Sequence, residues 1–104
     1  STLSDETKRL KMAELPVKQP FKILKIKFLK HETYGTSILA TCLEPSRNEQ
    51  FCVFLPKRYS SELSENDFKD FDEKLTPLYF VIKKRTSNTS YLKFGPSELC
   101  LLDC

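Results

Sequence analysis

Phe21-Lys22-Ile23-Leu24-Lys25-Ile26-Lys27-Phe28-Leu29-Lys30 is the stretch on which the fold turns. Its middle alternates: Leu24, Ile26 and Phe28 point one way, Lys25 and Lys27 the other. A period of two is that of a half-buried strand. Phe21 and Ile23 fall out of phase with this set, which a bulge near Ile23 and Leu24 would repair where the strand bends. β-branched and aromatic residues are frequent and no cap precedes the run, so a helix fits poorly.

Reading outward, His31-Glu32-Thr33-Tyr34-Gly35 is a turn, with Gly35 available for positive φ. Residues 36–43 alternate again, placing Ile38, Ala40 and Cys42 inward. Residues 44–49 are too polar to bury and form a second turn. Residues 51–55 make a third strand ending at Pro56, so the three strands form a meander of two hairpins. The period then changes. Phe68, Phe71 and Leu75 share one helical face over residues 61–75, Ser64 and Asp67 resemble a capping box, and Pro77 stops the run. Residues 78–84 form a fourth strand with Leu78, Phe80 and Ile82 on one face. A polar turn over 85–90 leads to a fifth strand at 91–94, which Gly95-Pro96 breaks. The apolar patch at 99–102 is expected to dock onto the core. Residues 1–18 read as an N-terminal arm or short helix, started near Ser4, Glu6 and Thr7, carrying Leu3, Leu10, Met12 and Leu15, and ended by Pro16. Residues 19–104 form the folded domain.

Composition narrows the class. The chain has 104 residues, 39% hydrophobic and 30% charged, which suits one domain with a single core. No run of about 18 apolar residues exists to span a membrane. The net charge of +3 is mild but uneven. Residues 61–75 carry six carboxylates against Lys69 and Lys74, while residues 19–60 carry seven basic residues against three acidic ones. A polyanion would avoid the first segment and use the second.

Three strands, a helix and two more strands are the element order of a five-stranded OB-fold barrel, whose helix lies between strands three and four. An SH3-like barrel lacks a helix of this length there. The stretch from Phe21 to Phe94, about three quarters of the chain, also resembles OB-fold modules that hold single-stranded nucleic acid. The resemblance rests on the Thr33-Tyr34-Gly35 turn, on Phe54-Leu55-Pro56-Lys57-Arg58-Tyr59, and on Leu78-Tyr79-Phe80-Val81. The Tyr-Gly turn and the L-P-x-R-[FY] run are similar to small virus- or transposon-like OB proteins of arthropod genomes. This resemblance implies a nucleic-acid-binding module without catalysis.

Single strands need cations along the phosphates and flat side chains under the bases. Lys25 and Lys27 supply charge on the first predicted strand, with Lys22 and Lys30 near its ends. Lys57, Arg58 and Tyr59 follow the third strand, Lys83, Lys84 and Arg85 end the fourth, and Lys93 lies on the fifth. Tyr34, Phe54, Tyr59, Tyr79 and Tyr91 are the candidate stacking residues, and Asn88 joins the last loop. An alternating lysine face is also simply what water solvates. Phe54 is equally a core candidate, and Tyr79 beside Val81 is equally a covering for the barrel's outer wall.

Catalysis has little support. His31 is the lone histidine, no nucleophile context surrounds it, and Gly35 and Gly95 are the only glycines, so no phosphate loop exists. No cofactor is expected. The thiols Cys42, Cys52, Cys100 and Cys104 lack zinc spacing. Ser1 to Leu15 shows no apolar signal stretch, so a reducing, nuclear or cytoplasmic setting with free thiols is expected. The reading is a single-stranded nucleic-acid binder, with DNA as the first choice and RNA open. A protein-interaction OB subunit of a larger complex is the alternative, and a secreted disulfide-bonded ligand a remoter one.

Overall fold

A computed structural model describes residues 7–44, 46–87 and 89–102. Six strands form one mixed sheet: β1 (Lys8–Leu10), β2 (Phe21–His31), β3 (Gly35–Glu44), β4 (Glu49–Phe54), β5 (Tyr79–Thr86) and β6 (Thr89–Gly95). Their order is β1-β4-β3-β2-β5-β6, curled into a half-barrel. β1 runs parallel to β4, and every other pair is antiparallel. Two short helices, α1 (Tyr59–Glu62) and α2 (Glu98–Leu102), complete it.

The bulge in β2 sits where the phase of its sequence breaks. Ile23 faces Cys42 and Lys25 faces Thr41, which leaves Leu24 without a partner on β3. That extra residue turns Phe21 and Ile23 to the same side as Ile26 and Phe28, so one strand lines the interior on both sides of its bend. Ile38, Ala40 and Cys42 of β3 are 0–1% exposed and pack against them. Phe51, Val53 and Leu55 follow from the β4 side, Phe80 and Ile82 from β5. Phe21 lies edge-on to Phe51 at 5.4 Å and 5.6 Å from Phe80, which ties the two halves of the curl together.

Four expectations are corrected. The sheet has six strands rather than five, because Lys8–Leu10 pairs with Phe51, Cys52 and Val53. Three residues are too few to give a periodic signal. The described part of the N-terminal arm is therefore an edge strand followed by a 3-10 turn at Met12–Glu14, while Leu3, Ser4 and Glu6 lie outside the described residues. The helix expected over 61–75 is replaced by α1, a 3-10 turn at Glu65–Phe68 and further turns. Asn66, Asp67, Asp70 and Asp72 are poor helix formers, and carboxylates three and four apart repel on one helical face. Asp67 still accepts the Ser64 amide at 2.9 Å. Phe68 and Phe71 turn inward, with Phe68 6.1 Å from Phe28, whereas Leu75 is 81% exposed. Of the patch at 99–102, only Leu101 docks, over Val81 of β5 and Gly95 of β6.

The half-barrel stays open between β4 and β6, with no strand pairing between them among the described residues. Side chains bridge the seam instead. The Tyr59 hydroxyl accepts the Leu92 amide at 3.0 Å, its ring meets Phe94 at 5.9 Å, and Arg58 donates to the Ser90 carbonyl. Leu15 enters the core from the N-terminal segment, and the Lys18 amide donates to the Ile82 carbonyl at 2.8 Å. No helix of the described residues is long and apolar enough to cross a membrane.

Cys42, Cys52 and Cys100 are unpaired thiols, and Cys104 lies outside the described residues. Cys42 points inward and Cys52 outward on neighbouring strands, so the two do not face each other. Burial pushes the Cys42 thiol above the usual range, with the nearby Cys52 adding to the effect. A thiol whose folded pKa is raised keeps its proton while the unfolded chain loses it. Stability is therefore full below the unfolded thiol pKa and falls as pH rises beyond about 8.5, by at most about 1.4 kcal/mol per pH unit. Urea midpoints of wild type and Cys42→Ala at pH 7 and pH 10 test this. An equal drop in both proteins would remove Cys42 as a cause.

Candidate nucleic-acid interface

The turn between β2 and β3 is built around His31 and Gly35. His31 Nδ1 accepts the amides of Thr33 at 3.1 Å and Tyr34 at 3.3 Å, which places the ring's proton on Nε2. Gly35 has φ +82°, where a side chain would be strained. This turn carries Tyr34 outward, 72% exposed, with one side of its ring 4.6 Å from His31. Lys57, just beyond β4, donates from Nζ to the carbonyls of Tyr34 at 2.7 Å and Thr36 at 2.9 Å. The turn is thereby tethered to the end of β4.

Arg58 continues the surface. Its guanidinium lies 4.5 Å from the Tyr59 ring centre and 4.8 Å from that of Tyr91, and Lys84 Nζ lies 5.2 Å from Tyr91. Each contact is worth about 0.5–1 kcal/mol where exposed, enough to orient Tyr91 without covering it. Tyr91 remains 38% exposed. Arg58 also lines a groove of about 430 Å³ between the N-terminal 3-10 turn, the end of β4 and the β5–β6 hairpin. Lys57, Arg58 and Arg85 supply its charge, Ser87, Thr89 and Ser90 its hydroxyls, and Met12, Ala13 and Pro56 the apolar part of its lining.

No carboxylate lines this groove, and none of its three cations forms an ion pair with a described residue. Lys22 and Lys30 differ. They pair with Glu73 at 3.2 Å and Glu65 at 3.6 Å, so the acidic segment spends part of its charge on β2.

The expected site residues divide into three groups. Tyr34, Lys57, Arg58, Tyr59, Lys84, Arg85 and Tyr91 gather around the seam. Lys25, Lys27 and Phe54 lie on the outer face of β2 and β4, where Arg9 sits 5.1 Å over the Phe54 ring. Lys83 and Lys93 point toward α2: Lys83 shares a hollow with Lys18, Val81, Leu101 and Leu102, and Lys93 donates to the Cys100 carbonyl at 3.3 Å. Phe54 is 36% exposed, so it is not core. Half-buried Tyr79 is on β5 opposite Gly95, and Asn88 lies outside the described residues. Tyr59 is committed to packing through both ring and hydroxyl, which makes it a wall of the seam rather than a stacking face. Sequence reasoning missed Arg9, Met12 and Ala13, because nothing local marks a segment that reaches the site from the chain's other end. The hydroxyls of Ser87, Thr89 and Ser90 are marked in the sequence only as a polar turn.

Arg85 holds that distant segment. Nη2 donates to the carbonyls of Met12 at 2.9 Å and Leu15 at 2.8 Å, and Nε donates to Ser90 Oγ at 3.2 Å. Arg85→Met keeps the stem but leaves two part-buried carbonyls without their donor. A loss of about 2 kcal/mol is expected from urea melts, since bonds to a charged group are individually worth about 1.5–3 kcal/mol and water recovers part of the loss. A change below about 0.5 kcal/mol would show the segment is held by Leu15 alone.

Comparison with protein-family models, with curated proteins and with solved structures finds no match to this chain.

Proposed function

We propose that this protein binds single-stranded nucleic acid, without catalysis, along the seam between the β2–β3 turn and the β5–β6 hairpin. One observation carries the reading: three cations without carboxylate partners converge beside two exposed tyrosines. Phosphates need the first and bases the second. The strand order β4-β3-β2-β5-β6 supports taking the sheet as an OB-type barrel left partly open, with β1 added at the β4 edge. In such barrels the ligand lies between the first and last hairpin loops, where Tyr34 and Tyr91 stand. Lys25, Lys27, Phe54 and Arg9 would extend the track over the outer face. A nuclear or cytoplasmic setting suits its free thiols.

Fluorescence anisotropy with a labelled ~20-mer of single-stranded DNA, matched RNA and duplex, at two salt concentrations, tests the proposal. Single strands should bind more tightly than duplex. The log–log salt slope should be about −0.7 for each phosphate neutralised. Absence of single-strand binding at low salt would refute it. A second reading, a protein-interaction subunit, is favoured by α2, where Leu99 is 80% and Leu102 54% exposed, and by Val17 at 41%.

A further inference from the structure

We infer that the groove between the N-terminal 3-10 turn and the β5–β6 hairpin receives the terminal phosphate of a nucleic-acid strand, a phosphomonoester, in preference to an internal phosphodiester. The inference rests on the proposed single-strand binding and adds to it a preference for strand ends.

Charge is the first argument. Lys57, Arg58 and Arg85 bring three formal positive charges into one concavity with no carboxylate in its lining. An internal phosphodiester brings one negative charge, whereas a terminal monoester carries about −1.5 to −2 at neutral pH. The denser anion matches this cluster better.

Donor accounting is the second. Arg85 spends Nε and Nη2 on Ser90, Met12 and Leu15, and Arg58 spends Nη2 on Tyr59 and Ser90. Nη1 of each arginine makes no hydrogen bond to a described residue, and neither do the hydroxyls of Ser87 and Thr89. The arginines are thus fixed by bonds on one edge and keep donors on another. A monoester has three terminal oxygens to accept from them, and a diester has two. Fixed guanidiniums lose little freedom when the anion arrives, which favours charge-assisted bonds of this kind.

Shape is the third. The groove is lined from three separate segments, around Met12 and Ala13, around Pro56, and along the β5–β6 hairpin, so a phosphate with chain on only one side enters more easily than one flanked on both. Arg58 links the groove to Tyr91, its guanidinium 4.8 Å from that ring, so a terminal base can reach the exposed part of Tyr91 from a phosphate bound here.

The test compares affinities of the full chain for one 12-mer DNA carrying a 5′-phosphate, a 3′-phosphate or hydroxyls at both ends, by competition anisotropy. A phosphorylated end should bind about tenfold more tightly than the hydroxyl-ended strand, and the two phosphorylated arms identify which end is read. The double variant Ser87→Gly and Thr89→Val keeps net charge and the arginine donors, and by removing the two hydroxyls should reduce that ratio to about threefold or less. Equal affinity of all three strands for the wild type overturns the end preference and leaves single-strand binding standing. A preference that survives in the double variant at full size overturns the groove as its site. Failure of every strand to bind removes both the inference and the function beneath it.

Discussion

Truncating Phe80 to alanine lowers the unfolding free energy by about 4 kcal/mol. The side chain is 0% exposed and stands where the two halves of the sheet meet. Its ring lies 5.6 Å from Phe21 of β2 and 6.3 Å from Phe94 of β6. β2 and β5 share only a short register, with Phe21 opposite Phe80 and Lys22 opposite Tyr79. Backbone pairing there is too brief to hold the halves, so the phenylalanine contacts do much of it. Alanine loses the transfer energy of the ring and leaves a cavity that a short ladder cannot close. Domains of this length are stable by only about 5–15 kcal/mol, so the loss is a large share. Urea denaturation should show a lower midpoint with an unchanged slope, and Phe80→Leu should lose less than half as much. A loss below about 1 kcal/mol for the alanine variant would mean the halves are joined elsewhere.

If the protein binds single strands as proposed, removing both the Tyr34 and Tyr91 rings should weaken that binding at least about thirtyfold, since each stacked base contributes about 1–3 kcal/mol. Both residues project from the fold, so the double alanine variant should retain the wild-type urea midpoint to within about 1 kcal/mol. The cost at Tyr91 includes its contacts with Arg58 and Lys84. Tyr59→Ala is a poor substitute, because it also leaves the Leu92 amide without its acceptor and loosens the seam. Competition anisotropy on the double variant reads the effect. A loss under about threefold would leave binding to the cations alone and remove the tyrosines from the interface.

Legibility followed the range of the forces involved. The strand alternation, the bulge near Ile23 and the inward set Ile38, Ala40 and Cys42 could be read because period and burial act on near neighbours. Around Phe68, Phe71 and Leu75 the helical spacing of three apolar residues is outweighed by the aspartates between them. Asp72 instead closes a local turn, accepting the Lys74 amide at 2.9 Å through its carboxylate and the Thr76 amide at 2.8 Å through its carbonyl. In the candidate site, the strand-end residues Tyr34, Lys57 and Tyr91 were legible from their neighbours in the chain. That Arg85 grips Met12 and Leu15 was not, since the pairing spans about seventy residues and leaves no local trace.

β1 has a consequence for the order in which the molecule is made. Its partner strand begins more than forty residues further along the chain. During synthesis Lys8–Leu10 emerges early and waits unpaired while β2, β3 and most of β4 follow. Closing so long a loop is entropically slow, so this ladder joins after the antiparallel meander has formed. Lys8, Arg9 and Lys11 keep the waiting segment soluble and discourage pairing with neighbouring chains. The first of these six strands to be synthesised is then the last to settle, and its amides should exchange with solvent deuterium sooner than those of β3, the strand held on both sides.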